Sequence, residues 1–156
     1  MRAIKEMLSS DDSEVVYTAV SMLHYSKIKN AKKLLSEIPL QKRIRSYQDI
    51  CAELGVEEVK EESLMLLEPI TRKKTLAFLK IQNICKCFSG SWIPDFNNTS
   101  ENKYYPYFYK KSGRWVFHGS GSDGGCFIGA VGFYKNREDS DFCGKLFQDI
   151  YIDLLG

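Results

Sequence analysis

The sequence predicts an α+β fold: a three-stranded antiparallel sheet flanked by two helices, preceded by an N-terminal helical extension. Up to Phe88, apolar residues recur at helical spacing. From Ser91 the texture changes to aromatic runs broken by Pro, Asn, Asp and Gly, the signature of strands and turns. A last stretch from Asn136 returns to helical spacing. A chain of 156 residues is long enough to bury a core of its own. Its expected division is a helical region over 1–39, a basic connector over 40–45 and an αβββα domain over 46–156.

In the first region, Asp11 and Asp12 are capping residues that also suit the positive end of a helix dipole. Val15, Val16, Ala19, Val20, Met22 and Leu23 then fall on one face. His24 follows that stripe and reads as structural. A second short helix has Asn30 as its cap, Leu34, Leu35 and Ile38 inward, and Pro39 as its stop. This helical pair resembles one unit of a HEAT-type array. One unit cannot bury both its faces, so it is expected to pack on the rest of the chain or on a partner.

The stretch 40–45, LQKRIR, is the basic connector. Ser46 with Asp49 three residues on, and Gly55 beyond, mark a short capped helix. Thr71 to Phe88 is the strongest helix, with Leu76, Leu79, Ile81, Ile84, Cys85 and Phe88 as its stripe. Tyr104 to Tyr109 reads as a strand, with Pro106 marking an edge or bend. KKSG is a tight turn, and Arg114 to His118 the returning strand. Cys126 to Tyr134 reads as the third. Asn136 caps the last helix, whose buried face is Phe142, Cys143, Leu146, Phe147, Ile150, Tyr151 and Leu154.

A net charge of +2 creates no global field to recruit a partner. Charge is segregated in blocks, however: residues 46–70 hold seven acids and one base, and residues 71–89 hold five bases and no acid. Such neighbours ordinarily satisfy each other or sit in water. The five cysteines lack zinc-site spacing and read as reduced thiols packed as small hydrophobes. Nothing implies a metal or cofactor, and no segment is apolar enough for a signal peptide or membrane span. The sequons at Asn97 and Asn98 would matter only in a glycosylating pathway.

Gly119, Gly121 and Gly124 spell G-x-G-x-x-G. A dinucleotide cradle of this form lies between a strand and a helix. Here the adjoining GCFIGAVGFY alternates like a strand, so that reading fails. A kinase-type glycine loop does join two strands, but its lysine, aspartate and asparagine partners are not recognisable. The expectation is a flexible hairpin connection. A Cys126 nucleophile with His118, oriented by Asp95 or Asp123, would need a depressed thiol pKa, and the start of an apolar strand supplies none.

The stretches GSWIPDFNN, KYYPYF and FYKNREDSDFCGKLFQDIYIDLL resemble an uncharacterised family of small proteins frequent in gut-bacterial phages and mobile elements. The matching residues are Gly90, Trp92, Pro94, Asp95 and Asn97, Lys103 to Phe108, Phe133 to Asn136, and Gly144, Lys145 and Phe147. An inserted Tyr134, and Asn136 in place of a serine cap, depart from the pattern. The resemblance covers 46–156. It implies a phage or mobile-element setting and no activity. With the reduced thiols and the lack of an apolar leader segment, the expected location is the cytosol of a bacterial host.

The expected function is therefore non-catalytic: a protein-binding module with a partner in host or virion. Its candidate contact residues are Trp92, Asp95, Tyr105, Tyr107, Tyr109, Lys110, Lys111, Arg114, Trp115, Ser122 and Asp123. The alternative is a single-stranded nucleic-acid binder, with Tyr105, Tyr107 and Tyr109 as stacking platform inside a rim of Lys103, Lys110, Lys111 and Arg114. Against it, residues 90–156 carry eight acids to seven bases.

Overall fold

The computed structural model describes residues 2–25, 30–124 and 132–156. The chain divides into two compact units, Met1–Arg45 and Ser46–Gly156. The first holds α1 (Arg2–Leu8), α2 (Ser13–Tyr25), α3 (Ala31–Ser36) and α4 (Leu40–Arg43). Asp12 caps α2, its Oδ1 accepting the Glu14 N–H at 2.8 Å. The α2 stripe of Val16, Val20 and Leu23 meets Leu34, Leu35 and Ile38, with Ile4, Leu8 and Ala31 packed against them. Asn30 takes the N-cap place of α3 in the left-handed region (φ 71°) and makes no side-chain bond to the helix. The basic stretch after Pro39 is folded rather than solvated. Arg43 and Ile44 are buried, and Arg43 Nε donates to the Ile38 carbonyl at 2.9 Å.

The second unit begins with α5 (Tyr47–Leu54). Its capping box is reciprocal: Ser46 Oγ accepts from the Asp49 N–H at 3.2 Å, and Asp49 Oδ2 from the Ser46 N–H at 3.0 Å. A 3-10 turn over Glu61–Leu64 leads to α6 (Pro69–Ser89), where Pro69 sits in the first turn and its missing N–H leaves no bond unmade. The charge blocks meet through Lys80–Glu58 at 3.3 Å and Arg72–Glu61 at 3.4 Å. Partly exposed pairs of this kind add little stability.

The expected three-stranded sheet is corrected to two strands, β1 (Lys103–Lys111) and β2 (Arg114–Asp123), antiparallel. Ser112 and Gly113 form the two-residue turn, both at positive φ (49° and 80°), as a twisted hairpin requires. Most of the expected third strand, residues 125–131, lies outside the described residues. Its described end is not a strand: Gly132 has φ 87°, and pairing is limited to a single bridge between Tyr104 and Tyr134. The glycine stretch is corrected too. Gly119 to Asp123 is not a hairpin tip but the far half of β2, paired with Tyr107 back to Lys103. The register shifts once, between Tyr107 and Phe108, and His118 is the extra residue of the bulge.

The expected closing helix is two, α7 (Arg137–Leu146) and α8 (Gln148–Leu155), broken at Phe147 (φ −106°, ψ 26°). The two-helix flank is therefore three helices. α7 packs across both strands and α8 lies on α6. Phe108 stacks on Tyr151 at 5.4 Å, and Ser120 Oγ donates to Asp141 at 2.7 Å. Only one face of the hairpin is used in this way. Beneath it, the buried hydroxyls of Tyr134 and Tyr151 meet at 2.8 Å, with the Cys85 thiol bonded to both. Burial pushes that thiol up to about 11, and raises Cys143, Tyr134 and Tyr151 as well.

Candidate functional site

Strand alternation sends Tyr104, Pro106 and Phe108 toward the helices and Tyr105, Tyr107 and Tyr109 to the opposite face. The bulge places His118 among these tyrosines. Its ring stands edge-on to Tyr109 at 5.2 Å and to Tyr107 at 6.0 Å. Tyr107 is 48% exposed, and His118 is exposed. Across the ladder Tyr105 faces Gly121 and Tyr107 faces Gly119. A Cβ at residue 121 would come within 2.6 Å of the Tyr105 ring, so the ring lies over bare backbone. Gly121 is thus a seat for a tyrosine ring, while Gly119 faces Asp141 and Gly124 the Thr99 backbone. At the strand end Tyr105 meets Phe133 edge-on at 6.1 Å, and Phe133 meets Phe96 at 5.4 Å.

Of the other expected site residues, Lys111 alternates onto this face at its turn end, opposite Arg114. Lys111 and Arg114 flank the turn and are exposed. Lys110 is also exposed, its ammonium 4.9 Å over the Trp115 ring, while Trp115 Nε1 donates to the Gly156 carbonyl at 3.1 Å. Trp115 is consequently engaged away from the tyrosine face. Trp92 Nε1 donates to Glu101 at 3.0 Å. Asp95 makes an Asx turn, Oδ1 accepting from the Asn97 N–H at 2.9 Å. Ser122 is exposed opposite Tyr104, and Asp123 is half-buried opposite Lys103.

Lys103 does not belong to a basic rim. It is fully buried, with Nζ donating to the carbonyls of Asn98 at 2.7 Å and Gly124 at 3.2 Å. Glu101 lies 3.6 Å away. The Glu101 carboxyl is held below its usual range, first by the Trp92 indole N–H and then by the Asp95 backbone N–H. Lysine and glutamate together fasten the 92–102 loop to the end of β1.

The pairing of Cys126 with His118 is not described by the structure. Cys126 lies outside the described residues, and His118 is engaged with the two tyrosines. Cys51, Cys85, Cys87 and Cys143 are buried and form no disulfide. Among the described residues no cluster of three or more His, Cys, Asp or Glu is placed to hold a metal, and no helix is long and apolar enough to cross a membrane. No family model, curated protein or solved structure matches the chain.

Proposed function

We propose that the chain is a non-catalytic accessory protein that binds a partner protein through the outer face of its hairpin. The observation that carries this reading is the row Tyr105, Tyr107 and Tyr109 with His118 set among them, facing away from the helices. Planar side chains steadied by neighbours lose little entropy on docking and bury large areas, which is why they dominate interface hot spots. Charge favours protein over single-stranded nucleic acid. Exposed Lys110, Lys111 and Arg114 gather at the turn end. At the other end exposed Arg137 is spent on the Ser120 carbonyl and the Tyr104 ring, on the helix side of the hairpin, while Asp95 and Glu101 stand near and Lys103 is buried. A polynucleotide needs cations along its track. A phage or mobile-element setting belongs to the same proposal, on the strength of the sequence resemblance.

Benzoylphenylalanine at position 107 should give a discrete cross-linked adduct in host extract, and the same probe at exposed Glu62 should not. Changing Tyr105 and Tyr109 together to Ala should abolish the adduct. Equal adducts from both probe positions would refute the reading. Saturable, salt-dependent binding of an oligothymidylate of about fifteen nucleotides would transfer the face to nucleic acid.

A further inference from the structure

A cleft of about 470 Å³ opens beside α6, within the second unit. Phe78, Gln82, Cys85, Lys86 and Ser89 recur along one face of that helix and form one wall. The opposing wall includes Trp92, Pro94, Phe96 and Phe133. Its volume falls within the ~300–1,000 Å³ range of small-molecule sites.

The lining is predominantly apolar, and its polar groups are few. The one polar atom of the Trp92 ring is committed to Glu101, so the indole presents hydrocarbon to the cleft. Phe96 is steadied by Phe133 at 5.4 Å and by the Lys103 ammonium at 5.9 Å. Ser89 Oγ is spent on the Phe133 carbonyl at 3.3 Å. Burial keeps the Cys85 thiol protonated, leaving an uncharged floor. Among the described lining residues Lys86 is the single charged group, exposed at the rim one helical turn from Gln82. An apolar slot with one cation at its mouth is complementary to an apolar body with one anion.

We infer that this cleft is a binding site for an amphipathic organic acid, its aliphatic or aromatic body between α6 and the Trp92–Phe96 wall and its carboxylate at Lys86. This site adjoins the hairpin face through Phe133, which meets Tyr105, but does not depend on a protein partner there.

Dodecanoate, kept below its micellar concentration, is the probe, titrated calorimetrically into the full chain. Saturable binding at one site is expected, with dodecyltrimethylammonium at least about tenfold weaker because its head carries the wrong sign. Lys86→Glu should weaken dodecanoate about tenfold and improve the cationic amphiphile. Gln82→Lys, which adds a second cation on the same face, should tighten dodecanoate. Both positions are exposed, and circular dichroism checks that the helices are retained. In a Trp115→Phe background, indole emission should respond to dodecanoate through Trp92. Equal affinity for the two amphiphiles, indifference to Lys86→Glu, or no saturable binding by the unaltered chain would each overturn the assignment.

Discussion

At the scale of single residues, Gly121 and Gly124 should tolerate alanine very differently. A Cβ at 121 meets only the far edge of the Tyr105 ring, which can swing aside. Gly121→Ala should therefore cost about 1 kcal/mol, at the low end for overpacking. A Cβ at 124 collides with the Thr99 carbonyl group, its carbon at 2.9 Å, and backbone held by Lys103 has no rotamer to yield. Gly124→Ala should cost about 3 kcal/mol, and the gap between the two is read from urea midpoints. Lys103 makes the same end of the hairpin sensitive to charge removal. Lys103→Met leaves the Asn98 and Gly124 carbonyls without their donor and should cost about 2 kcal/mol.

At the scale of elements, the turn sets the hairpin. Ser112 at φ 49° occupies a conformation that Asn adopts more easily, so Ser112→Asn should raise stability by about 0.5 kcal/mol, measured as an increase in thermal midpoint. The capped starts at Ser46 and Asn136 were legible because a cap is a local signal, a polar side chain meeting an amide three residues on. The length of β2 was nearly accessible through that turn: Lys111 opposite Arg114 fixes the pairing, and counting back along β1 brings residues 118–122 opposite 107–103, one residue short of the bulged register. Glycine's low strand propensity hid this, because the large neighbouring ring supplies the packing that glycine lacks. The break at Phe147 and the burial of Lys103 depend on partners distant in sequence and leave no local signal. Of the expected site, the tyrosine row was readable from alternation alone. His118 was not, since a bulge re-aims one residue against that alternation.

At the scale of the whole molecule, the second unit is built to fail at alkaline pH. Burial raises Cys85 from 9.0 to about 11 and Tyr47 from 10.0 to about 12, and it raises Cys143, Tyr134 and Tyr151 in the same direction. Groups whose folded pKa exceeds the unfolded value stabilise fully below the unfolded pKa, and that contribution is lost as pH climbs through the folded one. The urea midpoint should hold between pH 7 and about 8.5 and then fall steeply from about pH 9 to 12. Cys85 alone accounts for on the order of 2–3 kcal/mol of that decline. The part of the tyrosinate absorbance that comes from Tyr134 and Tyr151, isolated by Phe substitution at the other tyrosines, should rise together with loss of helical circular dichroism, because these buried phenols ionise only as the core opens.

His118 has a different standing from its neighbours. Without it Phe117 would run straight on to Gly119, and every cross-strand partnership from Lys103 to Lys111 would survive. The chain thus carries one imidazole that has no partner in the cross-strand register, lodged between two tyrosine rings on the open side. Excising that residue should leave a regular two-stranded ribbon with its helices intact and take away the adduct from position 107, separating what recognises from what merely folds.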